Sequence, residues 1–369
     1  WDDYSIIRIP VDMVPKGFMD EGQIARSKAT VHNGIYLMEF GAVFTKDSQG
    51  FFKRSLIEAC VGTDLKPVKI ASGEVYFDPL LRGNKNEKYL MAIDPASEVD
   101  NFSIVVLELH TDHRRIVHCW TTTRKDHTER VKKGLTKENN FYSYCARKIR
   151  ELMGLFNIVH IAMDAQGGGY AVAEALHDSN QIQAGEVAIW PIINPEKSQP
   201  TDDEQGLHIL EMCQFARYDW YSDANHGLRK DFEDKILLFP RFDPITIGLS
   251  IEQDKANDRL YDTLEDCVME IEELKNELSL IEVTESANGR LRWDTPEVKI
   301  GVGKKSRMRK DRYSSLLMAN MAARNLKTEE TPGYNSYGGF AAQYGSGKNK
   351  EDATFSGPNW FTQAMNGLY

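Results

Sequence analysis

Tyr89-Leu90-Met91-Ala92-Ile93-Asp94-Pro95 is a continuous apolar run that stops on a carboxylate and a proline. Such a run suits a buried strand, since proline cannot donate to a strand ladder. Two further strands are read close behind it, Ser103 to Leu109 and Arg115 to Thr123, the latter rich in β-branched and aromatic residues. The short connections between the three indicate an antiparallel meander. Phe141, Cys145, Ile149, Leu152 and Phe156 then recur at helical spacing and give one apolar face. Ile158 to Met163 reads as a fourth strand ending at Asp164, and Gly167-Gly168-Gly169 turns the chain into a short helix, Tyr170 to Leu176. Val187 to Ile193 is a fifth strand. The order β-β-β-α-β-α-β predicts a mixed sheet flanked by helices, an α/β fold.

Outward from this block the reading is coarser. Residues 1–85 are mixed and irregular, with a short strand over Ser5 to Pro10, a helix over Glu21 to Ala29, and apolar residues at Phe51-Phe52 and Leu56 to Val61. On the C-terminal side, residues 207–235 read as helical and Ile236 to Phe239 as a short strand. A long charged helix is expected over Asp254 to Leu278. Its Leu260, Leu264, Val268, Ile271 and Leu274 form one face packed on the domain rather than a coiled coil. Leu280 to Thr284 and Arg290 to Trp293 flank Asn288-Gly289, the strongest short-range signal for a β-hairpin. Tyr313 to Asn325 is a last helix. Residues 331–369, rich in Gly, Ser, Asn and aromatics, are expected to be a flexible tail.

The 369 residues allow two compact units plus appendages, and 41% hydrophobic with 27% charged residues is an ordinary globular composition. No apolar run approaches the roughly 18 residues of a membrane span. The start has neither a basic nor an apolar signal region and no initiator Met, so the chain is expected to be a piece of a longer protein. Cys60, Cys119, Cys145, Cys213 and Cys267 are scattered, with no C-x-x-C pair. They read as free thiols and leave no zinc-ligand spacing.

Three aspartates occupy informative places. Asp94 closes the first strand, Asp164 closes the fourth, and Asp311 opens the last helix. In a sheet of this order the first and fourth strands are neighbours whose C-terminal ends share one edge. Two carboxylates then face one point, and a third arrives from a packed helix. Mg²⁺ takes hard oxygen ligands and keeps several waters, so a few carboxylates suffice. Asp100, in the turn after the first strand, can extend the metal set or serve as a solvated turn residue; Glu98 is a weaker candidate. Each aspartate alone also suits a turn or a helix cap. The net charge of −10 argues mildly against nucleic acid, but the local distribution differs. Lys304, Lys305, Arg307, Arg309, Lys310 and Arg312 crowd around Asp311, with Arg290 and Arg292 on the expected hairpin. A cluster of this kind can neutralise phosphates beside an acidic metal centre.

Other chemistries are excluded by position. Counting back six residues from Lys304, a phosphate loop needs Gly where Val298 stands, and Ser or Thr where Lys305 stands. Gly167-Gly168-Gly169 does not make a dinucleotide fingerprint. No G-x-S-x-G or H-E-x-x-H occurs. An actin-like or sugar-kinase ATPase needs Gly-rich turns after its first strand, and Asp94 to Asp100 has none.

Met91-Ala-Ile-Asp94-Pro-Ala96, Ile161-Ala-Met-Asp164-Ala-Gln-Gly-Gly168 and Arg309-Lys-Asp311-Arg-Tyr-Ser-Ser-Leu-Leu-Met-Ala319 resemble the large terminase subunit of tailed double-stranded DNA bacteriophages. The resemblance spans roughly residues 85–326. It implies a ribonuclease H-like nuclease domain over 86–330, preceded over 1–85 by the end of an ATPase region and a linker. It implies a two-metal-ion endonuclease, using Mg²⁺ or Mn²⁺ on Asp94, Asp164, Asp311 and Asp100, that cuts double-stranded viral DNA during packaging. It further implies portal protein and small terminase subunit as partners, possible self-association on the capsid, no membrane, and action in the host cytoplasm at the procapsid. Many family members carry Glu where this chain has Asp164, which shortens that ligand by one methylene. Within the same fold the alternatives are a junction resolvase or a transposase; outside catalysis, a DNA-binding assembly module.

Overall fold

The computed structural model describes residues 9–15, 17–22, 24, 50–95, 101–194, 204–257, 259, 261–286, 289–299 and 305–329. Most of the expected N-terminal strand and helix, Asp100, Glu98, Lys304, Asn288 and the 331–369 tail lie outside them.

The apolar runs become β3 (Lys88–Asp94), β4 (Phe102–Leu109), β5 (Arg114–Thr122) and β6 (Ile158–Asp164) of one seven-stranded sheet. A two-stranded ladder, β1 (Val68–Ile70) with β2 (Gly73–Val75), precedes them. β3 and β4 are antiparallel, as are β4 and β5, whereas β6 runs parallel to β3. The sheet is completed by β7 (Ile189–Pro191), β8 (Leu207–Cys213) and β9 (Leu237–Leu238), in the order β7-β8-β6-β3-β4-β5-β9. This is the ribonuclease H-like arrangement: a central strand with an antiparallel meander on one side and parallel strands on the other.

The strands are accompanied by helices α1 (Arg54–Glu58), α2 (Arg124–Lys132), α3 (Phe141–Leu155), α4 (Gly169–His177), α5 (Tyr218–Glu233), α6 (Pro244–Ala256), α7 (Leu264–Leu280) and α8 (Asp311–Glu329). Strand alternation sorts them into two layers. Tyr89, Met91 and Ile93 pack with Phe141, Cys145, Ile149 and Leu152 of α3 and with Val172 and Leu176 of α4 in one core cluster. The intervening Leu90, Ala92 and Asp94 face the other layer, where α8 lies. There Phe52 packs against Phe232 and Tyr313, and Trp293 packs against Phe51, Tyr221 and His226. Residues 50–85 thus pack within the same compact unit as the sheet, which runs to Asn325.

Two expectations fail. Leu207–Cys213 is not helical but a strand paired in parallel with β6 and β7; the helix starts only at Tyr218. β6 otherwise leaves a row of unpaired backbone groups at the edge of a buried sheet, and satisfying them outweighs local propensity. The long helix expected from Asp254 to Leu278 is two helices, α6 and α7, broken at residues 257–263. Asp262 adopts a left-handed φ of 56°. Its carboxylate accepts from Trp120 Nε1 at 2.7 Å, Arg130 Nη2 at 3.2 Å and Lys148 Nζ at 3.2 Å. Burial would raise its pKa, but Lys148 and Arg130 outweigh burial and hold it at about 2. Thr263 then restarts the helix through a capping box with Asp266.

The hairpin read from Asn-Gly is present as β10 (Glu282–Glu285) and β11 (Leu291–Asp294), with Gly289 at φ 74°. A second hairpin, β12 (Glu297–Lys299) with β13 (Lys305–Arg307), was not anticipated; it carries the start of the basic run toward α8.

Candidate metal centre

The register fixes the first two carboxylates. Ile93 pairs with Met163 across the parallel β3–β6 ladder, so Asp94 and Asp164, one step further, end side by side on the same face. Backbone geometry after Asp164 depends on glycine. Gly167 sits at φ 64°, and a Cβ on Gly169 would lie 2.0 Å from the Asp164 carbonyl oxygen. Gln166 N–H donates to Asp164 Oδ1 at 3.0 Å, which holds that carboxylate over the turn.

Asp311 arrives from α8. Its Oδ2 accepts from the Asn101 amide at 2.9 Å, and Asn101 Oδ1 accepts from Arg309 Nη1 at 2.6 Å. Ser315, one helical turn on and fully buried, ties α8 to the sheet. The Asp94 amide donates to Ser315 Oγ at 3.1 Å. The Ser315 hydroxyl proton is shared between the carbonyls of Ser103 at 3.1 Å and Asp311 at 3.2 Å. One hydroxyl therefore sets the position of two of the three aspartates. Sequence reading missed it; the i, i+4 spacing from Asp311 was the available signal.

All three carboxylates are half-buried. Burial, then the negative charges of Asp311 and Asp164, push the Asp94 carboxyl well above the usual carboxylate range, against a hydrogen bond from Ser314. Burial raises Asp164 as well. A cation at this edge would relieve that cost. The oxygen-only donor set suits Mg²⁺ or Mn²⁺, which keep water ligands, rather than zinc. Among the described residues no three acidic, His or Cys side chains gather closely enough to enclose one ion. A fit among the described residues therefore rests on carboxylates used singly or in pairs with water; Asp100 lies outside them.

The described basic residues differ in their surroundings. Arg312 was expected to face DNA, but its side chain is buried between α7 and α8. Its Nε donates to Glu270 Oε2 at 2.6 Å and its Nη1 to Glu277 Oε1 at 2.7 Å. It lies one residue past Asp311, and 100° of helical rotation turns it into the packed face. Lys310 pairs with Asp294 at 3.1 Å, and Arg292 pairs with the same carboxylate at 2.9 Å while staying exposed. Arg290 lies over the Tyr218 ring, 5.2 Å from its centroid. Arg309 is half-exposed beside Asn101. Lys305 and Arg307 are on β13, and their side chains lie outside what is described.

The fold is a ribonuclease H-like α/β domain in which Asp94 and Asp164 close two adjacent parallel strands at one edge and Asp311 opens α8. Among solved structures the chain is similar to large terminase nucleases of several phages. The large terminase nuclease from thermophilic phage G20c matches at 13% identity over 73% of this chain and 97% of that one, with a TM-score of 0.40. The HK97 bacteriophage large terminase matches at 14% over 84% of this chain and 52% of that one, also at 0.40. The Thermus phage P74-26 large terminase nuclease domain matches at 12% over 77% and 97%, at 0.38. No family model matches the sequence, and no curated protein matches it.

Proposed function

We propose that this chain is a divalent-metal-dependent DNA endonuclease of the large terminase type, cutting double-stranded viral DNA during genome packaging. The observation that carries the reading is the meeting of Asp94 and Asp164 at adjacent parallel strand ends with Asp311 entering from α8, so that the Asp94 carboxyl feels both negative charges. The motif order read from the sequence supports it independently.

In this reading Asp94, Asp164 and Asp311, with Asp100, hold Mg²⁺ or Mn²⁺. Such ions, when bound in a pair, supply an activated water and stabilise the leaving 3′ oxygen of a phosphodiester. The protein's own contribution is placement. Ser315 holds the Asp94 backbone and the first turn of α8 at a fixed spacing. Asn101 holds the Asp311 carboxylate, and Gln166 that of Asp164. Arg309 and Lys310, with Lys304, Lys305 and Arg307, balance phosphate charge next to the acidic centre, and Arg290 and Arg292 extend that role on the β10–β11 hairpin. The resemblance extends the reading to portal protein and small terminase subunit as partners, to possible self-association, and to action in the host cytoplasm at the procapsid. Among the described residues no helix is long and apolar enough to cross a membrane.

The test is nicking of supercoiled plasmid in Mg²⁺ or Mn²⁺ by wild type and by Asp94→Asn, Asp164→Asn and Asp311→Asn. Diffuse cutting by wild type and none by the variants is expected. Cutting confined to branched DNA would point to a resolvase. DNA binding with no metal-dependent cutting would point to an assembly module.

A further inference from the structure

Arg124 has no role in any motif above, yet its setting is unusual. It is the first residue of α2, directly after the Thr123 cap that follows β5. The strand register brings this point to the carboxylate edge: Asp94 pairs with Ser103, Ser103 with Thr121, and Phe102 with Thr122. Arg124 therefore stands at the same edge as the aspartates but in the α3 layer, across the sheet from α8. Its guanidinium carbon lies 4.9 Å from the Phe141 ring centroid and 5.1 Å from that of Tyr142. Tyr142 in turn packs on the turn after Asp164, since a Cβ on Gly168 would fall 2.2 Å from its Cε1. An unbroken chain of contact thus runs from Arg124 through Tyr142 to the Asp164 loop.

Among the described residues the charge of Arg124 is not answered by an acidic side chain. No carboxylate among the described residues pairs with it, and its buried Nε has no hydrogen-bond partner. Asp126, the nearest acid in sequence, is turned to Thr123, accepting from its amide at 3.0 Å and its hydroxyl at 2.7 Å. Other enclosed cations of this chain are matched: Arg114 by Asp231, Lys148 by Asp262, Arg312 by Glu270 and Glu277. Stacking on two rings orients the guanidinium plane but supplies no anion. A planar, pre-oriented guanidinium of this kind suits a phosphate.

We propose that Arg124, held by Phe141 and Tyr142, binds a backbone phosphate of the DNA on the Asp164 side of the metal centre, opposite the basic residues of the α8 side. The site would take a phosphodiester, without base selectivity. The proposal rests on the nuclease reading for its meaning, but its test does not require cleavage. The measurement is affinity for a short duplex in EDTA across a salt series, for wild type, Arg124→Met and Arg124→Lys. Methionine keeps an apolar stem against the rings and removes the charge. Arg124→Met should bind about tenfold more weakly at low salt, as expected for losing one charge-assisted hydrogen bond. Its slope of log affinity against log salt should be shallower by about one phosphate contact. Arg124→Lys should keep the slope and lose part of the affinity. Thermal melting of each variant confirms that the fold is kept. An Arg124→Met protein that melts like wild type and binds DNA with unchanged affinity and slope overturns the proposal. Wild type that binds duplex but never cuts it in Mg²⁺ or Mn²⁺ sinks the nuclease reading while leaving the phosphate contact standing. Wild type that does not bind duplex overturns both.

Discussion

Replacing Arg312 by alanine separates a structural from a DNA-binding role for the buried arginine of the basic run. Arg312 is 7% exposed and Glu277 1% exposed. The substitution removes two charge-assisted bonds, at 2.6 Å to Glu270 and 2.7 Å to Glu277. Glu277 keeps the Tyr313 amide at 2.9 Å, while its negative charge stays inside the α7–α8 interface. Breaking such a buried pair from one side costs roughly 3–5 kcal/mol. For a domain of this size each kcal/mol shifts the melting temperature by roughly 2–4 °C, so a fall of about 6–20 °C is expected in calorimetry or dye-monitored melting. The pH dependence has a definite sign. Burial already raises the Glu277 carboxyl, and removing Arg312 raises it further. A carboxyl whose folded pKa lies above its unfolded value binds its proton more tightly in the folded state. Its contribution to stability therefore falls as pH rises past the unfolded pKa of about 4.3. The deficit of the variant should be smaller at pH 5 than at pH 8. Arg312→Met combined with Glu277→Leu should recover most of the loss, because apolar side chains of similar volume can replace a buried pair. An Arg312→Ala protein that melts like wild type but loses DNA affinity would refute this reasoning and return Arg312 to the DNA surface.

Asp94→Asn should abolish metal-dependent cutting and raise the melting temperature of the metal-free protein at pH 7. The Asp94 carboxyl is pushed up in the fold, so ionising it there costs stability, and Asn removes that cost. The same variant should lose most of the Mn²⁺-induced rise in melting temperature, which is about 2.7 kcal/mol for a site filled at a hundred times its dissociation constant; an equal rise in both proteins would remove Asp94 from the metal site. Ser315→Ala leaves the Asp94 amide without its acceptor and should raise the Mn²⁺ concentration needed for half-maximal cutting; an unchanged metal requirement would make Ser315 mere packing. Neutralising Lys304, Lys305, Arg307, Arg309 and Lys310 together should flatten the salt dependence of duplex binding and leave Mn²⁺ stabilisation intact; an unchanged slope would place the DNA elsewhere.

Much of this architecture is written in local pattern. Tyr89 to Ile93 and Ile158 to Met163 are too apolar and too short for anything but buried strands, and each ends on an aspartate. Chain order alone makes them neighbours, because a meander followed by a helical crossover returns the fourth strand beside the first. That brings Asp94 and Asp164 together without any knowledge of packing. Asn288-Gly289 likewise marks its hairpin, and Asp311 marks the start of the last helix.

Where the pattern is ambiguous, long-range partners decide. Leu207-His-Ile-Leu-Glu-Met-Cys213 suits a helix as well as a strand, and the unpaired edge of β6 makes it a strand. The helix break at Asp262 comes from Trp120, Arg130 and Lys148, more than a hundred residues away in sequence. Arg309, Lys310 and Arg312 are alike as letters, yet packing of α8 on α7 buries only Arg312 and gives it Glu277. Arg124 carries no motif at all. Its nearness to the edge where Asp94 and Asp164 end exists only because β5 pairs with β4, β4 with β3, and Tyr142 closes on Gly168. Local sequence dictates the central strands β3 and β6 and where they stop, since propensity and chain connectivity act over a few residues. Which charges face inward, and which meet across layers, depends on desolvation and pairing between distant segments, and those energies exist only once the layers have packed.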